Sequence, residues 1–112
     1  MSDTIVDLTE LRFLTEGDIE LENELFKEFI STSIQLVDTL NQHCQGINDN
    51  KAWESASHAL KGLSLNLGAA PLGDLSNKGQ HMCKHGLSEK RELFQNIKAE
   101  HQRVLNFLNH QS

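Results

Sequence analysis

Apolar residues recur at three- and four-residue steps along almost the whole chain, no run alternates in strand fashion, and Pro71 is the sole proline among 112 residues. A period near 3.6 residues commits each segment to burying one face of an α-helix, so the pattern predicts an all-α fold. Residues suited to helix ends divide the chain. A short leading helix is expected over about 7–14, closed by Thr15-Glu16-Gly17, with Gly17 suited to the left-handed position after a helix and Asp18 to the next N-cap. A long helix over about 19–45 follows, stopped by Gly46, and a third over about 51–67, with Asn48, Asp49 and Asn50 as candidate caps and Gly68 at its end. The last two are expected over about 71–85, with Pro71 in the first turn and Gly86 beyond the end, and over about 89–109, capped by Ser88. Connections this short make consecutive helices antiparallel neighbours, giving an up-down four-helix bundle with a short N-terminal helix.

In the long helix, Leu25, Phe26, Phe29, Ile30, Leu36, Val37, Leu40 and Cys44 form a wide apolar stripe, with Ile34 at its margin. In the last helix, Leu93, Phe94, Ile97, Val104, Leu105 and Leu108 mark the buried side, and His101 falls among them as a hydrogen-bonded, partly buried ring. A chain of this length has enough surface to bury for one core, so residues 1–112 read as one domain without repeats or linkers. Ten cations stand against sixteen carboxylates for a net charge of −6, with no Lys/Arg-rich run. That balance disfavours nucleic acid as a partner. The acidic start, MSDTIVDLTELRFLTEGD, lacks the pattern of a signal peptide, and no apolar run of about 18 residues occurs, so a cytoplasmic protein without a membrane span is expected. Cys44 and Cys83 have no metal or redox spacing and read as packing residues.

The third helix holds an odd feature. On a helix advancing roughly 100° per residue, Trp53, Ala56, Leu60, Leu63 and Leu67 share an arc of about 80° that must face the core. By the same count His58 points about 170° away from the centre of that arc, onto the solvent crest. Its neighbours there are Lys51, Glu54, Ser55, Lys61, Gly62 and Leu65. Lys61 can lay an ammonium beside an anion on the ring, and Gly62 leaves bare backbone where a side chain would block approach. A glycine inside a helix costs about 1 kcal/mol relative to alanine, so Gly62 needs a reason. Close approach by another molecule is one; a tight helix contact is another.

The stretch SHALKGLSLNLGA, residues 57–69, resembles the signature of histidine-containing phosphotransfer (HPt) domains, roughly H-x-L-K-G-x-[SA]-x-x-[LIV]-G-[AL]. His58, Leu60, Lys61, Gly62, Ser64, Leu67, Gly68 and Ala69 fall at family positions, and Asp49 and Leu72 also correspond. Helix order fits the family over nearly the whole chain. Leu65 departs where the family is often small, and Ser76-Asn77-Lys78-Gly79-Gln80 replaces a C-x-x-L-E pattern. The resemblance implies a phosphorelay carrier that is not an enzyme by itself: His58 accepts a phosphoryl group, with Nε2 as the expected nitrogen, from a receiver-domain phosphoaspartate and passes it to another receiver. Lys61 would offset phosphate charge and Gly62 would admit the receiver's loops. The donor implied is the receiver of a sensor or hybrid histidine kinase, the acceptor a response regulator; the carrier has no cofactor of its own, Mg²⁺ coming with the receiver. Docking candidates are Lys51, Glu54, Ser55 and Leu65, with Ile34 and, from the leading helix, Leu11 or Leu14. A monomer is expected, because the histidine crest must stay uncovered.

Two other readings remain open. His81 and His85, four residues apart with Cys83 between them, could share a metal in a helical bundle. A docking module that keeps the shape without phosphorylation is the second. No P-loop or G-x-G-x-x-G occurs, so self-phosphorylation from ATP is not expected.

Overall fold

The computed structural model describes residues 4–46 and 49–111, so Asn48, one of the candidate caps, lies outside the described residues. The fold is all-α, with helices α1 (Thr9–Thr15), α2 (Ile19–Gln42), α3 (Asn50–Leu67), α4 (Ala70–His81) and α5 (Leu87–Asn109). Around the bundle the order is α2, α3, α4, α5, each packed on the next and α5 closing on α2, while α1 leans on α2. Among the described residues no helix is long and apolar enough to cross a membrane.

Several ends differ from the sequence-based expectation, each for a local reason. The segment expected to open the first helix instead pins it down: Asp7 N–H donates to the Gly68 carbonyl at 2.9 Å, and the Asp7 carboxylate accepts from the Thr9 backbone and hydroxyl at 3.0 and 2.6 Å. These bonds, the hydroxyl first, hold the Asp7 carboxyl below its ordinary range. Helix α2 stops at Gln42 instead of running to about residue 45, because Cys44 N–H turns back to the Asn41 carbonyl and the chain tightens out of α geometry. Cys44 is still fully buried, and burial pushes its thiol up. Helix α4 ends at His81 instead of His85. The Gly79 carbonyl, which would accept from residue 83 in a continuing helix, takes Trp53 Nε1–H at 2.7 Å and Met82 N–H at 3.1 Å. Helix α5 starts at Leu87 after Gly86, with no side-chain cap, so Ser88 lies inside its first turn. Asp18 caps α2 as expected.

The core gathers Phe26, Phe29, Leu40, Trp53, Leu60, Leu67, Leu72, Phe94, Ile97, Val104 and Leu108, with Val6, Leu8 and Leu11 from the N-terminal segment. Ile30, Leu36, Val37 and Leu63 are half-buried at its margins, and so is Leu105. Leu25, expected within the stripe of α2, is exposed. Three polar side chains are drawn inside by specific partners. Lys90 is fully buried, its Nζ 5.3 Å from the Trp53 ring centroid and donating to Asn50 Oδ1 at 3.0 Å, and burial holds its ammonium below the usual lysine range. Glu100 is paired with Arg103 at 2.7 Å. His101 Nε2 meets Ser33 Oγ at 2.8 Å, joining α5 to α2 as a buried, hydrogen-bonded ring.

Two outcomes follow from these contacts. Gly68 has φ of +101°, and a Cβ there would run into the Asp7 carbonyl. Gly68→Ala is expected to destabilise the chain by about 2 to 4 kcal/mol, combining left-handed strain with the lost strap; an unchanged denaturant midpoint would contradict this. Burial pushes the His101 pKa down. The unfolded chain then takes up that proton more readily, so the contribution is full above about pH 6.5 and is lost as pH falls through that value toward the folded pKa. Between roughly pH 8 and pH 5.5 the thermal midpoint should fall more steeply in the wild type than in His101→Gln, and parallel curves would contradict the assignment.

Candidate functional site

Helix α3 carries the site, and its start is fixed by one side chain. The Asp49 carboxylate accepts the backbone N–H groups of Lys51 and Ala52 at 3.0 Å each. The Ala52 bond is the main cause that holds this carboxyl below its ordinary range. At the other end Gly68 takes the left-handed conformation and its N–H bonds to the carbonyls of Ser64 and Leu65. Between these ends the rotation of α3 is set by what it buries: Trp53, Ala56, Ser57, Leu60, Ser64 and Leu67.

The buried serines show how tightly α3 meets α4. A Cβ on Gly79 would lie 2.9 Å from Ser57 Oγ, and one on Gly73 would lie 2.6 Å from Leu65 Cδ2. Gly73, Ser76 and Gly79 form a run of small, buried residues three apart on α4, and from α3 Ser57 lies against Gly79 and Leu65 against Gly73. Sequence reading passed over this seam, although the three-residue spacing of Gly73, Ser76 and Gly79 was a signal for it. The departure from the C-x-x-L-E pattern thus lies at a close helix contact.

With Ser57 fixed against Gly79, the next residue must turn outward, and His58 is exposed. Among the described residues no hydrogen bond or ion pair engages the His58 ring or the Lys61 ammonium. Lys61, one turn further on, is half-buried, so its stem lies along the helix surface while its charge stays uncompensated. Gly62 is exposed, has no positive φ, and a Cβ there would meet nothing within 4 Å. Neither backbone conformation nor helix packing requires a glycine at this position, which removes the tight-contact explanation. Lys51, Glu54, Ser55 and Leu65 are exposed on the same crest. An imidazole without partners, beside an unpaired cation and a gap in the side-chain layer, can act as a nucleophile toward an anionic electrophile brought from outside.

The remaining sequence-based candidates separate. Leu14 is exposed, but Leu11 is buried under α1, so it cannot offer a side chain broadly to a partner. Ile34 is exposed on the α5 side of α2, where it lines a concavity with Phe94, Lys98 and His101. That is the flank of α2 turned away from α3, so the structure does not bring Ile34 to the His58 crest. The metal reading loses its premise because α4 ends at His81 and the two rings no longer share a helix face. His81 Nδ1 pairs with the Asn77 carbonyl and His85 Nδ1 with Glu89. Among the described residues no group of three or more metal-ligating side chains converges. Sequence reading did not single out Phe13, Ile19 and Leu21, which are exposed near the α1–α2 turn.

Three comparisons bear on this geometry. The family model described as Hpt domain matches residues 24–107. The chain is similar to the crystal structure of histidine-containing phosphotransfer protein B (HptB) from Pseudomonas aeruginosa PAO1, with a TM-score of 0.87 at 22% identity, covering 98% of this chain and 96% of that one. At that identity the likeness speaks for the fold. No curated protein matches the chain.

Because Gly62 is not needed by the fold, Gly62→Ala should stabilise α3 by about 1 kcal/mol, read as a rise of about 4 °C in thermal midpoint. A fall in midpoint would show that the glycine serves packing after all.

Proposed function

The chain belongs to the Hpt domain family of phosphorelay phosphocarriers, and on that premise we propose that His58 is its phosphoryl acceptor. The observation that carries the proposal is the outward-facing ring of His58, which like the Lys61 ammonium has no hydrogen-bond or ion-pair partner among the described residues, beside an unobstructed Gly62. His58 and Lys61 stand at the family's histidine and lysine positions.

In this reading the chain supplies half of a reaction centre. A receiver domain of a sensor or hybrid histidine kinase brings an aspartyl phosphate and Mg²⁺, and a response-regulator receiver later takes the group away. The lone pair of His58 Nε2 forms the P–N bond as the P–O bond to the aspartate breaks, the electron pair leaving with the carboxylate. The ring keeps its proton on Nδ1 throughout, and the return step reverses these changes. Transfer of this kind depends mainly on in-line positioning and charge neutralisation. The rigid crest of α3 provides the first and the Lys61 ammonium part of the second. Gly62 leaves room for the receiver's loops to approach the ring, and Lys51, Glu54, Ser55 and Leu65 form the surrounding contact surface. The protein works as a single domain, as a monomer in the cytoplasm, and is a carrier whose chemistry a partner completes.

Incubation with a phosphorylated receiver and Mg²⁺ should transfer acid-labile, alkali-stable phosphate to the wild type and none to His58→Gln. Lys61→Ala should keep the acceptor but slow transfer roughly tenfold, the loss of one charge-assisted contact. Undiminished labelling of His58→Gln would refute the assignment.

A further inference from the structure

Apolar side chains line two concavities on opposite flanks of α2. One, of about 290 Å³ between α1, α2 and α3 with Leu25 on its wall, lies beside the His58 crest and belongs to the site already described. The other lies against α5 and measures about 240 Å³. Its apolar lining comes from Ile34, Val37 and Phe94. Asp38 and Lys98, both exposed, stand at its rim, and His101 lines it from within.

The hydrogen bonds around His101 leave one of its nitrogens unused. The Ser33 hydroxyl donates to the Ile30 carbonyl at 3.3 Å, so its oxygen is left to accept from His101 Nε2–H at 2.8 Å. A neutral imidazole with its proton on Nε2 keeps a bare lone pair on Nδ1. Burial pushes the pKa of the ring down and so favours this neutral form. Among the described residues Nδ1 has no hydrogen-bond partner. It is nonetheless not sealed from solvent, although the residue as a whole is only 6% exposed, and the concavity is where the ring meets the surface. A lone pair held in apolar surroundings without a donor is unfavourable, and a guest that brings a donor relieves it.

The surroundings specify the rest of the guest. One carboxylate and one ammonium at the rim balance, which favours a molecule without net charge. Phe94 presents a ring, and the Lys98 ammonium suits a π face, so an aromatic guest is favoured over an aliphatic one. The volume is below the roughly 300 to 1,000 Å³ of pockets that take drug-sized ligands, which limits the guest to one or two rings. A second copy of the chain supplies neither a phenol nor an indole, because the sequence has no tyrosine and its one tryptophan is fully buried.

We propose that the α2–α5 concavity is a binding site for a small, neutral aromatic molecule of the phenol or indole class, whose O–H or N–H donates to His101 Nδ1. The site lies on the flank of α2 turned away from α3, so filling it leaves the His58 crest open.

The test follows the histidine ring nitrogens of the full chain by ¹⁵N NMR near neutral pH. In the free protein His101 should show a protonated Nε2 and an unprotonated Nδ1. Indole and phenol should each move the Nδ1 resonance saturably toward the protonated range, while the other five histidines stay in place. N-methylindole and anisole, which keep the rings but lack the donor, should bind roughly tenfold more weakly, the loss of one hydrogen bond to a buried group. Ile34→Ser, at an exposed position, should weaken indole binding roughly threefold without moving the thermal midpoint. A proton on Nδ1 in the free protein, equal affinity for indole and N-methylindole, or no saturable shift at His101 would overturn the proposal. Tighter binding of N-acetyltryptophanamide than of indole would overturn the free molecule as occupant in favour of an aromatic side chain on a protein.

Discussion

Rotation of α3 about its own axis decides whether His58 meets water or leucine, and the contact between α3 and α4 sets that rotation. Ser57 lies against Gly79, Leu65 over Gly73, and the Trp53 indole donates to the Gly79 carbonyl at 2.7 Å. A helix turns by roughly 100° per residue, so fixing residue 57 toward α4 leaves residue 58 little choice but the surface. The same hydrogen bond ends α4, because the Gly79 carbonyl is no longer free to continue it. Lys90 Nζ then stands over the indole ring and reaches Asn50 at the start of α3, tying α5 into the joint. A buried ammonium is weak evidence for stability, since its desolvation offsets much of its attraction. Here it links α5 to the start of α3 through Asn50.

The site is built from absences as much as from groups. Among the described residues no hydrogen bond or ion pair holds the His58 ring or the Lys61 ammonium. Gly62 gives up helix propensity without meeting any need of the fold. Each feature alone is unremarkable for a surface helix. Together, on an Hpt chain, they suit a reaction whose other components arrive on a second protein, where a preassembled pocket would be an obstacle to exchange between two partners.

The parts legible in the sequence were those governed by local rules. The all-α class, the cap Asp18, a cap for α3 among Asn48, Asp49 and Asn50, the left-handed Gly68 and the outward direction of His58 follow from periodicity and cap chemistry, which depend on residues a few positions apart. The parts that differed depend on contacts between distant segments. The early end of α4 depends on an indole 26 residues upstream; the pinned Asp7 segment depends on Gly68. Ile34 and Leu25 show the same limit within one helix. Both sit at the edges of an apolar stripe, and the sequence does not reveal that one faces α5 while the other walls the groove beside α3. The burial of Lys90 was equally out of reach, because nothing local predicts an indole to receive it.

The most direct test of the central claim is to map where the phosphoryl group sits after exchange with a phosphorylated receiver, by fragmentation mass spectrometry kept at neutral to alkaline pH. The chain has six histidines, so the result is discriminating. The account requires the group on His58 alone. Phosphate on His43, His81, His85, His101 or His110, or on no histidine at all, would contradict it.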